Sequence, residues 1–132
     1  MNLKAIAHYL ETKRFGRAGE SVFITEMPLE CREGILLLNR YSGSTIDHEL
    51  PGWRDTGFRL IARSADYEAG EALAERAGAA LKIQQDTQMG NTRSKLILMR
   101  RSLPMNDPLP YRRSDGGYWE FEVDIECVYI NL

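Results

Sequence analysis

The sequence predicts an α+β fold, with a mainly antiparallel sheet of about five strands and two helices on one face, in the order helix, three strands, helix, two strands. Two segments repeat their apolar residues with the helical period, and the last segment alternates strictly between apolar and charged residues. The 132 residues have the size of one domain, so 1–132 is expected to fold as a single unit.

Composition excludes several classes of protein. Apolar residues make up 43% of the chain and charged residues 27%, values that are ordinary for a water-soluble globular domain. Charges interrupt the N-terminal segment before the apolar core of a signal peptide could form, and no segment could span a membrane, so no membrane partner is expected. Cys31 and Cys127 lack metal-binding or redox spacing and are predicted to be reduced thiols.

The first half of the chain predicts one helix and two strands. Asn2 is a plausible N-cap, Gly16 and Gly19 are expected to end the helix, and its apolar face comprises Leu3, Ile6, Ala7 and Leu10. β-branched and aromatic residues predict a strand over 21–27, and an apolar run predicts another over 34–38.

A long loop is predicted over 42–56, where turn-forming residues are frequent and no period is sustained. A third strand over 57–63 follows. Asp66 is expected to cap a helix from Tyr67 to about Lys82, whose inward residues are Ala69, Leu73, Ala77, Ala80 and Leu81.

The last third predicts two strands separated by a second long loop. A polar turn over 84–93 precedes a strand over 94–101, and three prolines with a Gly-Gly pair predict a loop over 103–117. The final strand, 118–130, is expected to place Trp119, Phe121, Val123, Ile125, Cys127 and Tyr129 in the core.

No segment carries a recognisable catalytic, metal-binding or cofactor-binding motif. Asp47, His48 and Glu49 are adjacent in a loop, where their side chains point apart rather than converge on a substrate. His8 has no second histidine one helical turn away, and phosphate-binding glycine loops are absent. We therefore predict that the protein is not an enzyme and uses no cofactor.

Nucleic-acid binding is one alternative. Arg100-Arg101 and Arg112-Arg113 lie near Tyr111, Tyr118 and Trp119, a mixture that can contact phosphates and stack on bases. Each basic pair is short, however, and no known DNA-binding or RNA-binding signature accompanies them.

A family resemblance is carried by residues 34–81. The strand over 34–38, the loop ending Asp47-His48-Glu49-Leu50-Pro51-Gly52, the strand over 58–63 and the alanine-rich helix after Ala65-Asp66-Tyr67 resemble the tail-terminator family of tailed phages, also described as minor capsid or tail completion proteins. The resemblance covers about half of the chain directly.

This resemblance implies a structural protein of the virion without an active site. It implies a homo-oligomeric ring, typically a hexamer, that caps the finished tail tube and joins tail to head. The implied partners are the tail-tube protein and a head-completion protein, and DNA would pass through the ring without specific binding. The implied location is the head-proximal end of the tail, after assembly in the host cytoplasm. Another phage head–tail joining protein, a nucleic-acid-binding module and a small enzyme of an unrecognised family remain as alternatives.

Candidate interface residues lie in the two predicted loops, because a head-to-tail ring needs different surfaces on its two sides and because Trp and Arg often dominate interface energetics. They are Asp47, Glu49, Trp53, Arg54 and Asp55 in the first loop and Tyr111, Arg112 and Arg113 in the second.

Four acids occupy the second face of the final strand: Glu120, Glu122, Asp124 and Glu126. The simplest interpretation is a solvated sheet surface. Alternatively they pair with arginines on neighbouring strands, such as Arg59, Arg63 or Arg100, or they line the channel of the ring, where negative charge would discourage DNA from adhering.

Overall fold

A computed structural model describes residues 2–39, 45–113 and 117–132, with the side chains of 111–113 excepted. The described residues form two helices and eight strands, in this order: α1 (Leu3–Thr12), β1 (Val22–Ile24), β2 (Gly34–Asn39), β3 (Thr45–Ile46), β4 (Trp53–Ser64), α2 (Tyr67–Ala80), β5 (Thr87–Met89), β6 (Ile97–Pro104), β7 (Leu109–Arg113) and β8 (Trp119–Asn131).

The eight strands form one mixed, strongly curled sheet. Its main order is β1-β2-β4-β8-β6-β5, with β3 also paired to β4 and β7 also paired to β8. β1 and β2 run parallel, and every other described pair is antiparallel. The α+β class is therefore confirmed, whereas the predicted number of about five strands is too low.

The two longest strands, β4 and β8, form the centre of the sheet. They pair continuously from Trp53 opposite Ile130 to Ser64 opposite Trp119. Two short strands lie in succession along each side of this ribbon, β2 and β3 beside β4, and β6 and β7 beside β8. The long central strands thus provide backbone partners for segments that would not form a sheet alone.

Both predicted long loops contain strands. Residues 45–46 and 53–56, within the predicted loop 42–56, are paired in β3 and β4, while 42–44 lie outside the described residues. In the predicted loop 103–117, β7 pairs with the first half of β8 despite its proline. Turn-forming residues weaken local strand propensity, but a long neighbouring strand overrides that preference.

Asn106 joins β6 to β7 along the edge of β8. Its Oδ1 accepts a hydrogen bond from Asp124 N at 2.9 Å, and its Nδ2 donates to Glu122 O at 3.2 Å. The amide side chain thereby occupies the place of a backbone group between the two short strands. This bridging role has no sequence signal of its own.

The core lies on the concave face of the sheet, under both helices. The alternating face of β8 is buried or half-buried there as predicted, and it packs with Phe58, Leu60 and Ala62 of β4. α1 contacts β1, β2 and β5, so it closes the two outer edges of the curled sheet, whereas α2 covers β4 and β8. The placement of both helices on one face is confirmed.

α2 begins where the sequence predicts. Asp66 Oδ2 accepts a hydrogen bond from Ala69 N at 2.9 Å, which caps the helix. Its buried residues are Gly70, Leu73, Ala74, Ala77 and Gly78, so the inward stripe is shifted from the predicted one: Ala69 is exposed and Ala80 is half-buried. The two glycines belong to the contact because the helix approaches the sheet closely.

α1 ends earlier than predicted. Its last residue is Thr12, and Arg14 then adopts φ +67°, the left-handed conformation that a helix end usually assigns to glycine. Phe15 N donates to Leu10 O at 3.0 Å and completes the turn. Gly16 and Gly19 follow in the next segment, so they do not end the helix.

Neither helix in the described residues combines the length and the apolar character that crossing a bilayer requires. Cys31 lies half-buried before β2, Cys127 lies in the core, and neither is bonded to another cysteine.

The two buried glycines of α2 generate a paired prediction. A Cβ on Gly70 would lie 3.0 Å from Phe121 Cε2 and 3.3 Å from Ser64 Cβ, whereas a Cβ on Gly78 would have its nearest neighbour at 3.7 Å. Replacing either glycine with alanine stabilises the helix by about 1 kcal/mol through its higher helix propensity, but overpacking at position 70 costs about 1–3 kcal/mol. Gly78→Ala should therefore raise the free energy of unfolding, and Gly70→Ala should be about 1–3 kcal/mol less stable than Gly78→Ala. Urea denaturation measures both; equal stabilities would contradict the close approach at Gly70.

Candidate subunit interface

The convex face of the sheet, which we call the outer face, is the side away from the helices. Residues that are directly opposite in an antiparallel register share a face, so the pairing identifies its members. On β8 it carries Glu120, Glu122, Asp124, Glu126, Val128 and Ile130, and on β4 it carries Trp53, Asp55, Gly57, Arg59, Ile61 and Arg63. This face therefore has an apolar end near Trp53 and a charged end near Arg63.

The apolar end consists of a row across three strands. Trp53 lies opposite Ile130, which lies opposite Leu98, and all three are half-buried. The guanidinium of Arg100 lies 5.6 Å from the centre of the Trp53 ring, and its Nη1 is 3.1 Å from Asp86 Oδ2. An aromatic ring with a stacked arginine at a solvent-accessible site is typical of protein interfaces.

Arg100 lies at a β-bulge of β6. The register of β6 against β8 shifts between Met99 and Arg101, which leaves Arg100 without a partner residue on β8. Bulges re-aim a side chain at the surface of a sheet. The sequence analysis proposed Arg100 as a partner of the acids on β8; it pairs instead with Asp86, which was not predicted.

The charged end contains a buried ion pair. Arg63 donates from Nε and Nη2 to Glu120 Oε2 at 3.3 and 3.2 Å, and their side chains are only 5% and 3% exposed. Arg63 Nη1 also donates to Pro28 O at 2.7 Å and Cys31 O at 3.2 Å. This pair ties the connector between β1 and β2 to the centre of the sheet.

A second cluster lies next to it. Arg59 Nε is 3.0 Å from Glu122 Oε1 and 3.4 Å from Asp124 Oδ1. The longer contact is an ion pair without hydrogen-bond geometry, so the buried Asp124 Oδ1 receives no hydrogen bond from it. Three of the four acids on β8 thus pair with arginines of β4, which was one of the alternatives; the simplest interpretation, a fully solvated face, is wrong for Glu120.

Burial raises the pKa of Glu122 above its ordinary value of 4.5. The Arg59 charge opposes this shift, while the charge of Asp124 and a side-chain hydrogen bond with Asp124 add to it. Two carboxylates therefore share one arginine, and their mutual repulsion favours a proton on Glu122.

The predicted interface residues of the first loop do not form a single patch. Trp53 and Asp55 lie on the outer face, whereas Arg54 lies on the opposite face, in register with the core residue Tyr129. Arg54 Nη1 donates to Trp53 O at 2.9 Å. Because side chains alternate along a strand, three consecutive residues of β4 cannot point to one partner surface.

Asp47 and Glu49 lie in the turn before β4. Asp47 Oδ1 accepts hydrogen bonds from Glu49 N at 2.9 Å and Leu50 N at 3.2 Å, so its carboxylate shapes the turn. Glu49 is exposed, and so are the apolar side chains of Ile46 and Leu50. These two apolar residues were not predicted to belong to an interface, although exposed apolar side chains in a turn are a signal for one.

Tyr111, Arg112 and Arg113 belong to β7. Their backbone pairs with β8, with Arg112 opposite Glu120 and Arg113 opposite Trp119. Their side chains lie outside the described part of the structure, so their role at an interface stays a prediction.

Metal-binding clusters of three or more His, Cys, Asp or Glu do not occur among the described residues. The charged groups that do converge, on the outer face, are ion pairs between strands. The curled mixed sheet with two helices on one face defines the class: an α+β module whose outer face carries an aromatic–arginine stack.

Comparison with known families identifies the group within that class. The model of the bacteriophage tail terminator protein family matches residues 9–131, so the chain belongs to this family. The resemblance drawn from residues 34–81 is confirmed. The family is structural, and its members are components of the virion. No curated protein matches this sequence.

The buried pair between Arg63 and Glu120 should dominate the stability of the charged end. Glu120→Ala leaves the Arg63 guanidinium buried with one partner fewer, so the free energy of unfolding should fall by about 3–5 kcal/mol. In an Arg63→Met background the same change should cost much less. As a matched control, Asp86→Ala removes the half-exposed Arg100 pair and should cost less than about 1 kcal/mol. Urea denaturation of all four variants tests this, and additive losses at positions 63 and 120 would contradict the coupling.

The raised pKa of Glu122 predicts a pH dependence. The folded state binds the Glu122 proton more tightly than the unfolded chain does. The stability that this proton gives to the folded state is therefore fully present below pH 4.5, and it is lost as the pH rises through the folded-state pKa of Glu122. Glu122→Gln removes that loss. Its stability relative to the wild type should therefore improve between pH 4 and pH 7 (about the range over which carboxyl groups ionise). Denaturation across this range decides it, with exposed Glu75→Gln as the control for removing one negative charge; a relative stability that declines instead would contradict the prediction.

Proposed function

We propose that this protein is a subunit of a homo-oligomeric ring, a hexamer, that caps the finished tail tube and joins tail to head. The observation that carries the proposal is the match of residues 9–131 to the bacteriophage tail terminator protein family. A terminator stops the polymerisation of the tube by binding its end and offering a different surface above it. This role requires only surfaces that bind other proteins, so we propose that the protein is not an enzyme.

The geometry of the outer face supports such a role. A cyclic ring uses two different surfaces of each subunit, and the sheet presents unlike surfaces at its two ends. At one end lie the Trp53–Arg100 stack on the outer face, the exposed side chain of Ile46 on the face of Arg54, and the exposed side chains of Leu50 and Leu132 in the adjoining turn and terminus. We propose that this apolar end contacts a neighbouring subunit or the tail-tube protein.

The acids of β8 fit the wall of a DNA channel. On the outer face of the β4–β8 ribbon, Glu120, Glu122, Asp124 and Glu126 of β8 outnumber the two arginines of β4, which pair with three of them. A negative wall would repel DNA phosphates and let DNA pass without adhering. We propose that these acids face the channel of the ring. The rim of the ring that faces away from the tail tube would bind a head-completion protein.

The proposed location follows from this role: the head-proximal end of the tail in the virion, after assembly in the host cytoplasm. DNA would then pass through the channel without being bound as a ligand.

Trp53→Ala tests the role of the apolar end. The ring of Trp53 is half-buried on the outer face, so its removal should leave a folded subunit while weakening assembly by about 30-fold, the effect of a hot-spot residue worth about 2 kcal/mol. Ring formation and the capping of tube ends can be followed by native mass spectrometry and electron microscopy. Met105→Ala is the control, because Met105 is an exposed apolar residue outside the predicted interface.

The outcomes separate two roles for Trp53. A folded variant that does not assemble supports the interface. A large loss of thermal stability with normal assembly would mean that Trp53 only stabilises its own sheet, and a wild-type protein that never binds tube ends would contradict the proposed function itself.

A further inference from the structure

The surface around α1 is basic although the whole chain carries a net charge of −2. Residues 1–20 and 90–96 contain six of the 17 basic residues and only two of the 19 acidic ones. The rest of the chain is correspondingly acidic. The surface around α1 therefore differs in charge from the rest of the molecule.

A groove runs along this basic surface, between α1 and the turn over 90–96. It consists of two adjoining depressions of about 330 and 440 Å³ that share Lys4, Ile24, Arg93 and Ser94. Lys4, Arg93 and Lys95 are all exposed, and none of them forms an ion pair within the described part of the chain. Ala7 and Ile24 give the groove an apolar floor beneath its cationic rim, and Glu11 is the one acid among its lining residues.

The turn that carries Arg93 and Lys95 is held firmly on α1. Asn91 Oδ1 accepts hydrogen bonds from Arg93 N at 2.9 Å and Ser94 N at 3.0 Å, and Asn91 Nδ2 lies 3.3 Å from His8 Nδ1. Asn2 Nδ2 donates to Lys95 O. A preorganised turn loses little conformational freedom when a partner binds, so these contacts favour a binding surface.

The complementary surface lies on α2. Glu68, Ala72, Glu75 and Ala79 recur at spacings of four and three residues, so they share one helix face, and all four are exposed. Neither glutamate forms an ion pair in the described residues, and Arg76 is the one cation within α2. Alanines keep this face flat and lose no side-chain freedom on contact.

We infer that the basic groove beside α1 binds the acidic face of α2 of a second copy of this chain. The alanines would pack on the floor formed by Ala7 and Ile24, and the glutamates would meet the cations of the rim. α1 packs on β1, β2 and β5 while α2 packs on β4 and β8, so one subunit can use both surfaces at once. Such a contact is heterologous and can close a ring.

The apolar floor favours a helix over nucleic acid as the occupant. A phosphate backbone needs cations but gains nothing from an apolar floor, and no aromatic side chain lines the groove for base stacking. An acidic, alanine-rich helix satisfies both parts of the groove. The inference rests on the ring proposed above and names the surfaces that would form it.

Charge reversal tests the inference. A groove variant, Lys4→Glu with Arg93→Glu, and a helix variant, Glu68→Lys with Glu75→Lys, each change exposed residues and should fold normally. Each alone should raise the concentration needed for assembly by about tenfold or more, because like charges then face each other across the contact. Arg32→Glu with Lys82→Glu is the control, since both residues are exposed and lie outside the two surfaces.

Mixing provides the decisive measurement. In an equimolar mixture of the groove and helix variants, each reversed surface can meet its complement on the other variant, so assembly of alternating subunits should recover. The chain that carries all four substitutions should recover as well. Ring mass by native mass spectrometry and the fraction of capped tube ends by electron microscopy report both.

Other outcomes would overturn the inference. Normal assembly of either single variant, or no recovery in the mixture, means that these surfaces do not meet. A groove variant that assembles normally but loses retention on DNA would assign the groove to nucleic acid instead. None of these outcomes would contradict the proposal that the wild-type protein forms a ring. A wild-type protein that forms no ring, even on tube ends, would contradict the proposed function.

Discussion

The pairing of β4 with β8 is the constraint on which the rest of the structure depends. The two strands stay in register from Trp53 opposite Ile130 to Ser64 opposite Trp119, and each carries core residues on one face and charged or apolar residues on the other. Every shorter strand except the outermost two pairs with one of them. A slip of one residue would move the whole core face of β8 to the solvent, so burial of that face keeps the register.

This register also brings opposite charges together across the sheet. Arg59 lies opposite Asp124 and Arg63 lies opposite Glu120, so the acids of β8 meet the arginines of β4. The exposed pairs add little stability, but the buried pair must stay intact because a lone buried charge is strongly unfavourable. Arg63 further binds two carbonyl groups of the connector before β2, which extends the effect of the register to a segment far away in sequence.

The two helices cover different parts of the concave face. Small residues let α2 approach the central ribbon, as the close contact between Gly70 and the Phe121 ring shows. α1 instead spans from β1 to β5 and closes the curled sheet. Because the helices occupy separate regions, their outward surfaces are available for different partners, as the proposed ring would require.

The sequence by itself determined the elements whose signals are local. The alternation of 118–130, the Asp66 cap and the apolar run from Gly34 were enough to predict β8, α2 and β2 close to their observed bounds. The resemblance over 34–81 also sufficed to identify the family that the match over 9–131 establishes. These features could be predicted because period, capping and hydrophobicity depend on a few neighbouring residues.

Only the tertiary structure decided the features that depend on distant partners. The segments 53–56 and 109–113 become strands because β8 offers them backbone partners, against their own turn propensity. The Arg100 bulge, the Asn106 bridge and the separation of Trp53 from Arg54 follow from register, which one strand's sequence does not contain. The candidate interface could therefore be predicted as a set of residue types, while their arrangement into faces required the fold, because a strand assigns a side chain to a face only after its neighbours are known.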